Sequence, residues 1–245
     1  MKKPLSKNKV VAVVPAAGLG KRFGPGANKP LQTLGGKELL VWSIEVLSAV
    51  SDISEIIPVL KAEDMEHGKR IFDEYGLSKI KRIAPGGRER QDSVFNGLQL
   101  IEDRSSVVLI HDGVRPLIEK ALIEAALKEL FEQSVEPGLK GPDGVVLGVP
   151  VKDTIKEADG GIITKTLKRG SLWAIQTPQI FPYNIISSAY SKAMKEGFYS
   201  TDDSALVERY GGRIRIATGS YRNIKITTPD DLVYAGFLIG KSSQQ

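Results

Sequence analysis

The chain has 245 residues, of which 41% are hydrophobic and 26% charged, and its formal net charge is +5. This length suits one large α/β domain or two small ones, and the composition is typical of a globular protein. The absence of cysteine excludes disulfide bonds, thiolate nucleophiles and thiolate metal ligands. No apolar run is long enough to span a membrane or to form a signal-peptide core, so we expect a cytoplasmic location.

Strands and helices alternate along the first 150 residues. The short β-branched run at 10–15 predicts a buried first strand, and apolar residues at helical spacing predict the helices. Further strands are predicted at 56–60, 80–84, 106–111 and 144–149, and helices at 37–50, 64–75, 89–101 and 119–131. We therefore expect an α/β fold, Rossmann-like, with a mostly parallel sheet, helices on both faces, and ligands beyond the carboxyl ends of the strands.

Residues 151–173 interrupt this alternation. Polar and apolar residues alternate around an Asp-Gly-Gly turn, which predicts a β-hairpin with few large apolar side chains. Since an isolated hairpin is marginal in water, we expect a projecting arm that needs a partner. Farther along, Thr228 as N-cap and Pro229 at the first helical position predict a late helix, preceded by a strand that carries Lys225.

The loop after the first strand reads "PAAGLGKRFGPGANKPLQ", residues 15–32. It matches neither the Walker pattern nor the dinucleotide fingerprint, because its glycines have other spacings. Backbone N–H groups together with Arg22 and Lys29 are suited to surround a triphosphate. An ordinary glycine-rich turn with surface cations is the alternative.

Three further stretches place polar groups where an open α/β sheet binds ligands. They are "PGGRERQDSV" at 85–94, "LIHDGVRP" at 109–116 and "NIKITTPDDL" at 223–232. Ser93 is predicted just inside a helix, Asp112 at the carboxyl end of a buried strand, and Lys225 before the late helix. These positions favour a binding site at that edge of the sheet.

Together with "VVPAAGLGKRFG", "VPVKDTIK", "RGSLWAIQTPQIF" and "STDDSALVE", these stretches resemble the 2-C-methyl-D-erythritol 4-phosphate cytidylyltransferases of the non-mevalonate isoprenoid pathway. The matching stretches run in family order over essentially the whole chain. The resemblance implies one cytidylyltransferase domain over residues 1–245, with the arm at 151–173 serving dimerisation and acceptor binding. It also implies transfer of CMP from CTP to methylerythritol phosphate, with release of pyrophosphate.

The chain departs from the family pattern at two places. After Lys29 it has Pro30 where the family usually has glutamine, which affects the local shape of the loop. After Asp112 it has Gly113 and Val114 where the family usually has two alanines, which affects only packing.

The resemblance also assigns roles to single residues. Arg22 and Lys29 are the expected transition-state cations, whereas Arg169 and Lys225 are expected to place the attacking phosphate. The family's contacts to CTP correspond to Pro15, Ala16, Ala17, Gly18, Gly20, Gly86, Gly87, Ser93 and Gly113. The contacts to methylerythritol phosphate correspond to Arg115, Thr154, Arg169, Thr177, Thr201 and Lys225, with Thr154 and Arg169 supplied by the arm of a second subunit.

Asp112 is expected to hold Mg²⁺, a hard cation suited to carboxylate and phosphate oxygens. The alternative is a strand-end carboxylate that caps a turn. If the strand continues, the adjacent His111 points to the opposite face and is a core residue rather than a second ligand. Asp202 and Asp203 either contact hydroxyl groups of the acceptor or cap a helix.

Three other functions compete with this interpretation. Cytidylyl transfer to ribitol 5-phosphate on the same fold is the nearest, because acceptor choice rests on few contacts. A catalytically silent nucleotide-binding protein is a second. A nucleic-acid binder is suggested only by the basic net charge, and we expect no nucleic-acid partner and no membrane partner.

Overall fold

A computed structural model describes residues 9–18, 23, 29–132 and 141–242, without the side chains of the last two. The strands are β1 (Val10–Pro15), β2 (Thr33–Leu34), β3 (Lys37–Glu38), β4 (Ile53–Leu60), β5 (Ala84–Pro85), β6 (Val107–Ile110), β7 (Gly144–Pro150), β8 (Lys156–Asp159), β9 (Ile162–Thr166), β10 (Trp173–Pro182) and β11 (Ile214–Thr218). The α-helices are α1 (Leu39–Ala49), α2 (Met65–Glu74), α3 (Arg90–Gln99), α4 (Lys120–Glu132), α5 (Tyr183–Glu196), α6 (Asp203–Arg209) and α7 (Pro229–Ser242).

The central sheet has the strand order β11-β7-β10-β6-β1-β4-β5. All neighbours pair in parallel except at β10, which is antiparallel to both β6 and β7. The predicted α/β fold with a mostly parallel sheet is therefore confirmed.

The core lies on both faces of this sheet, because side chains alternate along each strand. From β1, Val10, Ala12 and Val14 pack with α1, α2 and α4, whereas Val11 and Val13 pack with α3, α5 and α6. Burial of each of these valines contributes about 1.5–3 kcal/mol, so both helix layers are firmly attached. A smaller cluster joins α7 to Leu34, Leu39 and Val114 near the carboxyl ends of the strands.

The strand predicted at 80–84 is wrong over most of its length. Only Ala84 and Pro85 pair with β4, and Ile80 makes a single bridge to Ile56. The segment is at the edge of the sheet, where backbone groups can hydrogen-bond water instead of a neighbouring strand.

The strand predicted around Lys225 is also wrong, because residues 223–227 form no strand. Their backbone instead bonds to the loop after β6: the Ile226 N–H donates to the Val114 carbonyl at 2.9 Å. The Asn223 carbonyl accepts from the guanidinium of Arg115 at 2.7 Å. The predicted start of α7 is confirmed, with Pro229 first and the Thr228 hydroxyl accepting from the Asp231 N–H.

The arm, residues 151–173, contains β8 and β9 paired as an antiparallel hairpin. Its tip is formed by Gly160 and Gly161, whose φ angles of 52° and 83° favour glycine. Every residue of β8 and β9 is exposed, including Ile162 at 73% and Ile163 at 60%. The predicted projecting hairpin is thus confirmed, and it buries no core of its own.

Candidate active site

Two of the predicted glycine-containing stretches meet at the carboxyl end of β1. The Ala16 N–H donates to the Val59 carbonyl at 2.9 Å, and the Gly86 N–H donates to the Leu60 carbonyl at 2.7 Å. A Cβ at Gly86 would lie 2.3 Å from the Cβ of Ala17, so only glycine allows this approach. Gly18 is exposed, and a Cβ added there would meet no atom of the described residues within 4 Å.

Gly113 approaches the same strand end from β6. Its N–H donates to the Pro15 carbonyl at 3.2 Å, which places the third predicted stretch beside the first. A Cβ here would lie 2.7 Å from Cδ1 of Leu40, so the leucine fills the space that the usual alanine of the family would need.

Hydrogen bonds of the Ser93 side chain stabilise the turn before α3. Its hydroxyl accepts from the Gly87 N–H at 3.0 Å and donates to the Glu89 carbonyl at 3.1 Å. The Glu89 N–H in turn donates to the Asp92 carboxylate at 2.9 Å. Because the Ser93 hydroxyl holds this turn together, its direct contact with cytosine stays a prediction.

Lys29 begins a short 3-10 turn, Lys29–Leu31, in which Pro30 is buried. The Gln32 N–H donates to the Lys29 carbonyl at 3.1 Å and closes the turn. Proline pre-sets the φ angle that such a turn requires, so the departure from the family pattern is compatible with an ordered Lys29. The predicted residues Gly20 and Arg22 lie outside the described residues.

The carboxylate of Asp112 is the centre of a charged cluster with Arg90, Arg115 and Lys225, called the Asp112 cluster below. Oδ1 accepts from Nε of Arg90 at 3.0 Å, and Oδ2 lies 2.8 Å from Nζ of Lys225 and 3.8 Å from Nε of Arg115. Burial alone would raise the pKa of Asp112, but these three cations outweigh it and hold the pKa well below its usual range. Asp112 is therefore ionised.

His111 and Thr177 lie next to Asp112 in the protein interior, and Thr177 contacts both other residues. The Thr177 hydroxyl accepts from the Asp112 N–H at 3.0 Å and lies 3.1 Å from Nδ1 of His111, whose Nε2 faces the Arg115 carbonyl at 3.3 Å. Burial lowers the pKa of His111 from 6.5 to about 4, so the ring is neutral. The predicted core position of His111 is therefore confirmed.

A cavity of about 440 Å³ opens over the Asp112 cluster. Its lining contains five of the predicted site residues: Asp112, Arg115, Thr177, Thr201 and Lys225. Thr154 and Arg169 are exposed on the arm and are not among the lining residues. The Arg169 guanidinium donates instead to the Lys152 carbonyl at 2.9 Å.

Arg90 and Gln179 line this cavity but were not predicted from the sequence. One signal was available for Arg90: a cation at the first position of a helix faces the positive end of the helix dipole, so it needs acidic partners elsewhere. These partners are Asp112 and Asp203. Asp202 and Asp203 were expected either to contact acceptor hydroxyl groups or to cap a helix. Asp202 caps α6 by accepting from the Ala205 N–H at 3.0 Å, whereas Asp203 pairs with Arg90.

The described residues do not fit a magnesium site of the protein's own. They contain no group of three or more acidic or histidine side chains that could hold a metal ion. The Asp112 carboxylate already faces three cations, which would repel a divalent cation. The metal-binding role of Asp112 stays a prediction.

Replacing Asp112 with asparagine is expected to raise the KM of the phosphate acceptor that the family resemblance implies by about tenfold or more. The amide keeps the shape but loses the charge that holds Lys225 and Arg90, and a hydrogen bond to a charged group contributes about 1.5–3 kcal/mol. Initial rates over a range of acceptor and Mg²⁺ concentrations measure the effect, with Asp73→Asn on the exposed side of α2 as the control. An unchanged acceptor KM with a higher Mg²⁺ requirement would make Asp112 a metal ligand.

A mostly parallel sheet with glycine turns at the carboxyl ends of its strands and a charged cavity at the same edge is typical of nucleotide-binding proteins of the α/β class. The sequence profile of the family "2-C-methyl-D-erythritol 4-phosphate cytidylyltransferase" matches residues 10–241. The chain belongs to this family.

Individual relatives support the assignment. The enzyme of this name from Geotalea uraniireducens is 41% identical over 241 residues, covering 97% of this chain and 100% of the relative. The one from Caldanaerobacter subterraneus is 42% identical over 234 residues, with 95% and 99% covered. The crystal structure of 4-diphosphocytidyl-2C-methyl-D-erythritol synthase from Anaerococcus prevotii has a TM-score of 0.83 at 30% identity, covering 98% of this chain and 100% of that one.

Proposed function

We propose that the chain transfers CMP from CTP to 2-C-methyl-D-erythritol 4-phosphate, giving 4-diphosphocytidyl-2-C-methyl-D-erythritol and pyrophosphate, and that residues 1–245 act as one domain in the cytoplasm. The observation that carries the proposal is the charged and polar cavity over the Asp112 cluster, whose lining includes Asp112, which precedes Gly113, and Arg90, the first residue of α3 after the turn at Gly86. The turns at Ala17 and Gly86 bind CTP, and the cavity binds the acceptor.

The acceptor phosphate binds against Arg115 and Lys225. Both side chains line the cavity, and their cationic groups lie 3.8 Å and 2.8 Å from the Asp112 carboxylate, which holds them at this place. Burial lowers the pKa of Arg115, and Asp112 acts against this effect, so the guanidinium remains a cation. With the phosphate held there, one of its oxygens attacks the α-phosphorus of CTP, and pyrophosphate leaves.

Lys29 and Arg22 stabilise the charge that develops on the α-phosphoryl oxygens and on the leaving pyrophosphate. The role of the protein is to position the reactants and to supply this electrostatic stabilisation, with no covalent intermediate. The Mg²⁺ expected as cofactor would be held mainly by the phosphate oxygens of CTP, which suit a hard cation, and it would offset part of their negative charge.

The active form in this proposal is a homodimer in which the arm of one subunit supplies Thr154 and Arg169 to the other. Support comes from the exposed isoleucines of the arm and from an apolar patch at its base, where Trp173, Ile175 and Ile216 are each more than a third exposed. Such apolar area on a hairpin without a core favours an isologous partner.

The reaction itself is the first test. With Mg²⁺ and CTP, the protein is expected to release pyrophosphate and form the CDP-alcohol when methylerythritol phosphate is the acceptor. Ribitol 5-phosphate in a parallel assay is expected to give much less product. Equal or better turnover with ribitol 5-phosphate would contradict the acceptor assignment, and no turnover with either would favour a silent nucleotide-binding protein.

A further inference from the structure

Arg90 joins the two sides of the central cavity. Its backbone is the first residue of α3, beside the turn at 86–87, and its guanidinium contacts carboxylates of two other elements. Nε donates to Asp112 at 3.0 Å, and the two Nη atoms donate to the two oxygens of Asp203, each at 2.9 Å. One planar side chain therefore sets the separation between the end of β6 and the start of α6.

Asp203 is the rigid anchor of this arrangement. Its side chain is fully buried, and Oδ1 also accepts a hydrogen bond from the hydroxyl of Tyr190 on α5. A buried carboxylate without a cation would carry a large desolvation cost, so Arg90 and Asp203 stay paired. Three of the five N–H donors of Arg90 are thereby committed to carboxylates.

The segment that leads to Asp203 depends on the same helix. Gln91 donates to the Phe198 carbonyl at 2.8 Å and accepts from the Ser200 N–H at 2.9 Å. Thr201 is a predicted contact of the acceptor. In the sequence it lies between Ser200, which is bonded to Gln91, and Asp203, which is bonded to Arg90. The side chain of Thr201 is exposed to the cavity, so its position depends on these two attachments.

We propose that Arg90 is a positioning residue for the acceptor, and that it acts through the two carboxylates rather than on the substrates. It holds Thr201 and Asp112 at a fixed separation, and through Asp112 it places the ammonium group of Lys225, which lies 2.8 Å from Oδ2. The inference rests on the proposed function, because it assigns Arg90 to the acceptor side of that reaction.

Two variants test this role. Arg90→Lys keeps a cation but loses the planar fork that reaches both carboxylates. Arg90→Gln combined with Asp203→Asn removes the buried pair as a unit, so that no buried charge is left alone. Arg82→Gln is the matched control: its side chain has the same 29% exposure, and it binds Glu55 through two hydrogen bonds outside the cavity lining.

The measurements separate the two substrates. Calorimetry gives the Kd of CTP without acceptor, steady-state kinetics give kcat/KM for methylerythritol phosphate, and thermal melting checks the fold. We expect both test variants to lose about 10²-fold in kcat/KM for the acceptor while the Kd of CTP stays within about threefold. Arg82→Gln is expected to change neither quantity.

The inference is overturned if CTP affinity falls as much as acceptor kcat/KM, if the folded variants keep a near-normal acceptor kcat/KM, or if Arg82→Gln shows the same acceptor-specific loss. Arg90→Lys alone decides the matter if the double variant does not fold. A wild-type protein without turnover would refute the proposed function. Normal wild-type turnover with any of the three contrary patterns would remove only the role of Arg90.

Discussion

Alanine in place of Lys29 is expected to lower kcat by about 10²-fold or more, the scale of losing one preorganised group that stabilises transition-state charge. CTP binding is expected to weaken much less, because the interaction is strongest when charge has moved onto the leaving pyrophosphate. Arg22→Ala is expected to behave in the same way. Lys29→Arg is expected to restore activity only in part, since a planar fork cannot replace a compact ammonium group.

Single-turnover rates and CTP affinities, measured side by side, test this expectation. Lys120→Ala is the matched control, because Lys120 is a half-exposed lysine on α4 that pairs with Glu124 at 3.5 Å and is not part of the cavity lining. A near-normal kcat in Lys29→Ala would remove the catalytic role. The backbone hydrogen bond that closes the turn at Pro30 is kept in Lys29→Ala, because the Lys29 carbonyl accepts it.

Mixing two inactive variants is expected to restore activity if the active site is shared between subunits. Lys29→Ala and Arg169→Ala are each expected to be nearly inactive alone. After subunit exchange, half of the dimers are mixed and each has one intact site, so activity is expected to recover to about a quarter of wild type. The measurement is pyrophosphate release before and after exchange, with exchange followed by a labelled subunit.

A second mixture is the control for this test. Lys29 and Lys225 are proposed to act in the same site from the same chain, so mixing Lys29→Ala with Lys225→Ala is expected to restore nothing. No recovery with Arg169→Ala, despite demonstrated exchange, would place Arg169 in the site of its own chain. Normal turnover by a protein that sediments as a monomer would exclude the shared site altogether.

The fold class is predictable from the sequence because most strands of the sheet are short β-branched runs between amphipathic helices. β10 could not be predicted in this way, because the middle of the strand carries polar side chains that line the cavity. Gln176, Thr177 and Gln179 are buried there, and Pro178 lies between them, so the apolar pattern of a central strand is missing. The sequence did not predict β10, because polar residues that line the cavity stand at positions where a central strand usually has apolar core residues.

The parts of the site that lie within one short stretch of sequence are predictable, whereas contacts between residues far apart in the sequence are not. The glycine turns and Asp112 are each visible within about ten residues of sequence. The contacts of Arg90, in contrast, join positions 22 and 113 residues apart, and only the packed helices bring them together. The partners of Arg90 depend on how the helices pack on the sheet, and a single sequence does not reveal this packing.

β10 also links the arm to the cavity through one continuous backbone. It leaves the arm at Trp173 and carries Thr177 and Gln179 into the cavity lining only a few residues later. A change of length at the tip, Gly160 and Gly161, moves only exposed residues, whereas one residue added within β10 would turn every following side chain to the opposite face of the sheet. The hairpin can therefore diverge in length among descendants of this chain, while the strand that leaves it must keep its residue count.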